Sequence, residues 1–407
     1  MATPETAGPD APQAHYRQPL LKTPFHARSR ALSQVDQYVA WSGYSTVDVY
    51  TTVEQEYFAI RNAATVYDLT PMTKYRIAGP DAVAYLDRLV TRDVTRLRAG
   101  RLGYCLWCND DGHLVDDGTL FRLAQSEFRL CAGMRQLDWL EASAIGFDVS
   151  VEEVTERIAA LSLQGPVSCA VLKAAGLPEV ATLPPFAIGR YDLDGIELTV
   201  SRSGFTGDLG YEIWMDPAAA AAVWDRLFEA GRSRGLRAIG SRALDVARIE
   251  AGFLSPWVDF VPAEHAIRVG RAHSPLELGL ERFVDFDKGH FTGRRALLEE
   301  RRRGPRSRLV GLDVEGNKPA RAALVYADDR ARREIGAVTS AVWSPTCKRN
   351  IALARVEARC SAPGTPLWAE IYLNRELAWE RRMTRARVVD RTFFAPERRR
   401  ATPPADF

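Results

Sequence analysis

Apolar residues along this chain fall into short alternating runs broken by Gly and Pro, and only a few stretches carry the three-to-four spacing of a helix. The clearest stretch is KYRIAGPDAVAYLDRL at 74–89. It predicts a strand, a turn at Gly79-Pro80, and a helix with Ala82, Val83, Leu86 and Leu89 on one face. The proline suits a first helical turn, where its missing N–H costs nothing. The same order returns 86 residues later, from Gly79 to Gly165, in AALSLQGPVSCAVLKAAG. Two such units suggest a duplicated α+β module around a shared core. Ahead of them, an aromatic-rich stretch from Thr23 to Val66 ends in the helical pattern EQEYFAIRNAA.

Between the units, LGYCLWCNDDGHLVDDGTLFRL reads as two strands joined by a tight turn at Asn109–Gly112. IELTVSRSGFTGDLGYEIWM predicts another strand pair around a Gly-rich loop. Asp216-Pro217 then starts an alanine-rich helix running to about Gly231. Residues 299–308, EERRRGPRSR, read as a charged linker closing a region that spans 23–298 and holds two interleaved α+β domains. After the linker come SRLVGLDV, ALVYA, EIGAVTSAVW, NIALARVEA and LWAEIYL. Their close spacing suggests a small β-barrel domain over 309–392, with a frayed tail from 393.

Composition adds mainly exclusions. Of 407 residues, 46% are apolar and 26% charged, enough for a sizeable core and for two to four domains. The 54 basic and 52 acidic residues nearly cancel, which argues against a nucleic-acid or anionic-membrane partner. No run approaches the ~18 apolar residues of a membrane helix. The first 22 residues lack the basic and apolar regions of a secretory leader and read as a mobile lead-in. The cytoplasm is then the default compartment. Six cysteines are too sparse for a disulfide scaffold.

Candidate chemistry is concentrated in a few places. Asp110, Asp111, Asp116 and Asp117 crowd around the proposed hairpin. Neighbouring strand residues face opposite ways, so one of Asp116 and Asp117 points inward, where a carboxylate needs a donor or a cationic ligand. Spacing alone leaves a solvated acidic turn as the simpler reading. The three glycines between Ser203 and Glu212 would let the backbone approach a planar ligand, or serve a bulged turn. The loop lacks the helix and lysine of a phosphate-binding motif. Cys105 and Cys108 sit three apart on one strand, with their sulfurs on opposite faces, and read as core. The six histidines have no ligand spacing, so no metal is expected.

In order, the motifs YDLTPMTKYRIAGPDA, CNDDGHLVDD, LQGP, SGFTGDLGYEI, ALDVARIEAGF, PLELGL and VTSAVWSPTCKRNIALARV resemble the T-protein (aminomethyltransferase) superfamily over about Thr23 to Val389. The resemblance implies an α+β fold: a three-domain cloverleaf around a central folate channel, ending in a small β-barrel. It implies tetrahydrofolate as cofactor, Asp117 as the catalytic carboxylate beside its reactive nitrogen, and Glu212 on the amino-pyrimidine edge of the pterin. Two N–H donors side by side suit a carboxylate. Met72, Phe205, Arg248 and Phe253 fall on further cofactor-binding positions.

This chain also departs from the glycine-cleavage pattern. Pro71 replaces a histidine, Phe205 and Phe253 replace tyrosines, and Leu244 stands where an arginine is usual, with Arg242 two residues earlier. Fewer polar groups argue against a lipoyl-bound substrate and a lipoyl carrier protein as partner. The N-terminal stretch TPFHARSRALSQVDQYVAWSGY looks more like the stand-alone demethylase-like branch. The preferred expectation is transfer of a methyl group from a small O-, N- or S-methylated compound to tetrahydrofolate, with Tyr44, Tyr57, Tyr104 and Tyr211 as candidate proton donors. A true aminomethyltransferase, a non-catalytic folate-binding iron–sulfur accessory protein and folate-independent chemistry remain as alternatives. The accessory branch carries a KGCYxGQE-type motif that RIEAGFLSPWVDF lacks.

Overall fold

A computed structural model describes residues 19–404. Most of the proposed lead-in, residues 1–18, lies outside that range. Leu21 and Lys22, its last residues, pair in parallel with Tyr44 and Ser45.

The two strand–turn–helix units lie in two different sheets. Strand Thr73–Ala78 and helix Ala82–Leu89 form the first, and strand Ala159–Gln164 and helix Ser168–Ala175 the second. In both, a glycine makes the corner at a positive φ, +148° at Gly79 and +120° at Gly165. A Cβ at Gly79 would lie 2.5 Å from the Asp148 carbonyl, and one at Gly165 2.5 Å from that of Ala63. No L side chain fits either place. Pro80 and Pro166 differ slightly from expectation. Each stands just before the helix-capping residue (Asp81 and Val167) rather than in the first turn.

One sheet has five antiparallel strands, in the order 101–108, 114–124, 127–132, 73–78, 150–153. It carries Asp117 and is called the aspartate sheet below. The other has six, in the order 188–193, 196–201, 210–215, 159–164, 65–68, 237–238, and carries Glu212. The chain interleaves them. Strand Thr65–Asp68 belongs to the six-stranded sheet, Thr73–Ala78 to the aspartate sheet, and Ala159–Gln164 returns to the six-stranded one. Each sheet buries one face under its own helices. Tyr75, Ile77, Leu86, Leu120 and Leu130 pack in one core, and Leu161, Leu163, Val171, Ile213 and Trp224 in the other. Between them runs a smaller apolar seam of Leu102, Phe121, Cys131, Ala160 and Trp214, with Met72 against it.

The C-terminal strands close into a barrel of six, in the order 307–314, 349–357, 334–344, 324–326, 366–375, 378–389. Five match the alternating runs in the sequence. The sixth, Ala378–Val389, escapes that reading because its first five residues are exposed and mostly polar. Pairing with Pro366–Arg375 and with Gly311–Val314 supplies what its side chains do not. The proposed linker 299–308 contains the end of a helix, Arg294–Arg303, and the start of the first barrel strand. Leu297 and Glu300 face inward, the three arginines line its solvated last turn, where they favour the helix dipole, and Gly304 stops it.

The C-terminal tail is not frayed through residue 404. Phe393 and Phe394 donate their N–H groups to the Glu250 carbonyl, and Pro403 is buried. Arg398 pairs through two nitrogens with Asp208, 190 residues away.

Candidate functional site

Asp117 lies on strand Leu114–Ala124, directly across from Leu106, and Asp116 lies across from Trp107. A register shift between Trp107 and Cys108 places a bulge beside the pair. Alternation puts one carboxylate inward, and the structure shows which. Asp116 is fully buried, and Asp117 is the partly accessible member. Asp117 Oδ2 accepts a hydrogen bond of 2.7 Å from the Tyr104 hydroxyl. Asp116 Oδ1 accepts the Asp117 N–H at 2.9 Å, while Asp116 Oδ2 has no partner among the described residues.

Two carboxyls this close and this dry cannot both ionise cheaply. Burial, together with the charge of Asp117, pushes Asp116 well above the usual carboxylate range, so it holds a proton. Burial also raises Asp117, to about 6, against the opposing pull of the Tyr104 hydroxyl. At neutral pH the pair then carries about one negative charge, on the accessible residue.

Of the four tyrosines considered as donors, only Tyr104 reaches Asp117. Tyr57 donates to Glu250 at 2.5 Å, the Tyr211 hydroxyl is buried beside Cys169, and Tyr44 is buried in the N-terminal sheet. The Tyr104 ring meets Phe283 edge-on, with centroids 4.8 Å apart.

Glu212 sits on strand Gly210–Met215, paired on either side with Ser162 and Ser201. Its Oε2 accepts from Ser203 at 2.7 Å and Ser201 at 3.3 Å, and its hydrogen bonds among the described residues all fall on that oxygen. Burial raises its ionisation, and the two serines oppose the rise. Oε1 is left to accept from a ligand. Ser201 in turn accepts from the Trp214 indole at 3.2 Å.

Two of the three glycines of the neighbouring loop make room for a side chain of the protein itself. A Cβ at Gly204 or Gly210 would run into the Gln164 side chain. Gln164 fixes the loop by donating to the Ser203 carbonyl and accepting from Thr206.

Met72 packs against the seam that holds Trp214 and Cys131. Its position is held from below by Lys74, which donates to the Met72 carbonyl at 2.8 Å and the Thr70 carbonyl at 2.6 Å. Burial lowers Lys74 to about 8. Sequence reasoning passed over this lysine, although a charged residue on an otherwise alternating strand was a visible signal.

Phe205 and Phe253 stack with centroids 5.5 Å apart and planes 23° from parallel. Phe205 is 39% exposed, which leaves ring surface for a ligand. Arg248 is placed differently from the sequence expectation that it holds cofactor. Its guanidinium is buried against protein groups: Asp245 at 2.7 Å, Ser340 at 2.8 Å, the Phe253 carbonyl at 3.1 Å, and Asp259. Arg248 therefore acts by fixing the backbone of Phe253 and tying it to the barrel.

A folate fits this donor and acceptor set. Glu212 keeps one oxygen open, Asp117 supplies a carboxylate ringed by apolar and aromatic groups, and Met72, Phe205 and Phe253 offer flat or soft walls. Among the described residues, no group of three or more His, Cys, Asp and Glu could hold a metal ion, and no helix is long and apolar enough to cross a membrane.

Comparison with known proteins places this arrangement. Residues 27–288 match the GCVT N-terminal domain, and residues 307–394 match the glycine cleavage T-protein C-terminal barrel domain. An aminomethyltransferase of Moorella thermoacetica is 33% identical over 380 residues, covering 92% of this chain and 98% of the relative. A trimethylamine-oxide aldolase of Ruegeria pomeroyi is 34% identical over 360 residues, covering 84% of this chain and 44% of that longer protein. The crystal structure of glycine cleavage system aminomethyltransferase T from Bartonella henselae superposes with a TM-score of 0.81 at 28% identity, covering 92% of this chain and 98% of that one. The α+β fold with its closed terminal barrel is the one the sequence motifs implied, and the chain belongs to the glycine cleavage T-protein family of folate-dependent transferases.

Proposed function

We propose that this protein moves a one-carbon group from a small methylated compound to tetrahydrofolate. The observation that carries this reading is the Asp117–Tyr104 pair: one ionised carboxylate, held by one hydroxyl, beside a neutral buried neighbour. Tetrahydrofolate, when bound, supplies the nitrogen that accepts the one-carbon group. Glu212 would hold the amino-pyrimidine edge through Oε1, and Met72, Phe205 and Phe253 would line its faces. Asp117 would stabilise positive charge that grows near it, an interaction stronger in the transition state than in the ground state. Tyr104, hydrogen-bonded to that carboxylate, holds a proton near a departing group.

The substrate side rests on what the site lacks. Pro71, Phe205 and Phe253 are apolar, so the surroundings suit a small, weakly polar methyl donor. The likeness to a trimethylamine-oxide aldolase supports an N-methylated amine among the O-, N- and S-methylated candidates. A second reading, aminomethyl transfer within a glycine-cleavage-like system, is favoured by the full-length likeness to the Moorella thermoacetica aminomethyltransferase.

One experiment separates the two readings. Methylated amines, ethers and sulfonium compounds are incubated anaerobically with the protein and tetrahydrofolate, and the folate product is identified. The proposal expects turnover without a lipoyl carrier. Turnover only with an aminomethylated lipoyl protein would establish the second reading instead.

A further inference from the structure

The aspartate sheet turns Tyr75, Ile77, Phe128 and Leu130 into its helix-covered core, so alternation sends Arg76 and Arg129 to the opposite face. Register sets these two arginines directly across from each other, with Glu152 opposite Arg76 and Phe121 opposite Arg129. Like charges placed this way repel. Arg76 is answered by Glu127 at 2.7 Å, and Arg157 by Glu152 at 2.6 Å.

Arg129 is not answered. Its guanidinium rests on the Trp214 ring, 5.3 Å from the centroid, and it has no hydrogen bond or ion pair among the described residues. Its Nη1 is closed off from solvent without an acceptor. Arg61 and Arg248, by contrast, meet carboxylates, and Arg202 meets a carbonyl oxygen. Burial works against the charge of Arg129, and the one carboxylate that opposes this, Glu127, already pairs with Arg76. A desolvated cation without a partner is costly to hold.

Arg76, Arg129 and Arg157 line one open cleft of about 340 Å³, together with Leu123, Val154 and Ile158. Its only acids are the two paired glutamates, so three arginines against two carboxylates leave one positive charge over. The volume is that of a small-molecule site. The cleft is also separate from the candidate site. Leu123 lies six residues past Asp117 on one strand, about 20 Å along it. Phe121 lies between the two on that strand and meets Trp214 edge-on, with centroids 5.2 Å apart in the buried seam.

We propose that this cleft binds a small organic anion, a carboxylate on a compact apolar body, with Arg129 as its anchor. A guanidinium fork matches a carboxylate through two parallel N–H donors. Leu123, Val154 and Ile158 take the body that carries it. The proposal is independent of the folate reading.

Fluorine NMR on the full chain follows 4-fluorobenzoate, its neutral analogue 4-fluorobenzamide and, by competition, inorganic phosphate. The parent is expected to bind the benzoate at one site about tenfold tighter than the amide, the worth of one charge-assisted pair. Arg129→Met should erase that preference, and Arg129→Lys should restore part of it. Leu123→Trp, which fills the cleft and keeps Arg129, should weaken both fluorinated probes. Excess tetrahydrofolate should displace neither. The proposal is overturned if no probe binds saturably, or if Arg129→Met or Leu123→Trp matches the parent. If Arg129→Met does not fold, Leu123→Trp decides alone. Displacement of the benzoate by tetrahydrofolate would put it in the candidate site and also overturn the cleft. Phosphate that competes as well as benzoate, and is undiminished in Leu123→Trp, would overturn the apolar body. A parent that binds no tetrahydrofolate removes the folate reading and leaves the cleft to the two variants.

Discussion

Asp117 and Glu212 stand on two sheets built by the same strand–turn–helix rule, yet their surroundings differ in kind. Glu212 is steadied by two serine hydroxyls on one oxygen, with Trp214 behind them, and no second titrating carboxyl lies against it. Asp117 has one hydroxyl donor and a neutral carboxyl at its back. The first environment keeps a charge fixed while a ligand sits on it. The second keeps a charge that is costly, and therefore responsive to any cation that forms nearby. Two carboxylates at similar depth are thereby suited to different tasks, Glu212 to holding and Asp117 to reacting.

The largest expected effect breaks that division at Asp117. Asp117→Asn keeps size and an acceptor but removes the charge. Turnover should fall about 10²–10³-fold, in line with losing one preorganised electrostatic partner. Folate affinity should change several-fold at most, so kcat and Kd must be measured together. Equal losses in both would make Asp117 another holding group.

Glu212→Ala should give the opposite pattern. Leaving the pterin donors unpaired costs about 1–3 kcal/mol, or roughly 5- to 150-fold in Kd. Glu212→Gln should recover part of the loss, because one acceptor remains. An unchanged Kd in Glu212→Ala would remove this residue from the pterin edge.

The smallest effect lies in pH dependence. Asp117 is raised to about 6, and its ionised form is the active one, so turnover should fall as pH drops through about 6. Tyr104 holds that value down by donating to the carboxylate. Tyr104→Phe should move the acid limb to higher pH by about half to one unit, the worth of one net hydrogen bond. Stability runs the other way. An acid raised by folding favours the fold below its unfolded value and loses that advantage as pH rises through about 6. Asp117→Asn should therefore melt no lower than the parent at pH 8, while the two converge near pH 4. A pH-rate profile and melting curves at both pH values check both signs.

Much of this arrangement was legible in the sequence because it is local. The Gly79 and Gly165 corners, the Asn109–Gly112 turn and five of six barrel strands follow from patterns a few residues long. The ordered motifs also marked Asp117 and Glu212 before any geometry was known. What stayed hidden depends on distance along the chain. Alternation says that one of Asp116 and Asp117 faces inward, but the packing of the whole sheet decides which. Arg248 carries no local sign that Asp259 and Ser340, 92 residues on, will take its guanidinium. Ala378–Val389 is a strand because of its two neighbours, not because of its own residues. The arginine run at 301–303 looked like a linker because a solvated helical face and a flexible segment share a composition.

The pairing of Arg398 with Asp208 also bears on the order of synthesis. Chains fold from the N-terminus as they emerge, domain by domain. Both sheets, and with them Asp117 and Glu212, can be in place well before the barrel exists. Phe253 cannot be fixed in the same way until Ser340 has emerged to meet Arg248, and the loop holding Asp208 lacks its Arg398 clamp until later still. A nascent chain that has not yet extended past residue 398 can therefore hold its reactive carboxylate in place while the rim still lacks the contact that Arg398 makes with Asp208.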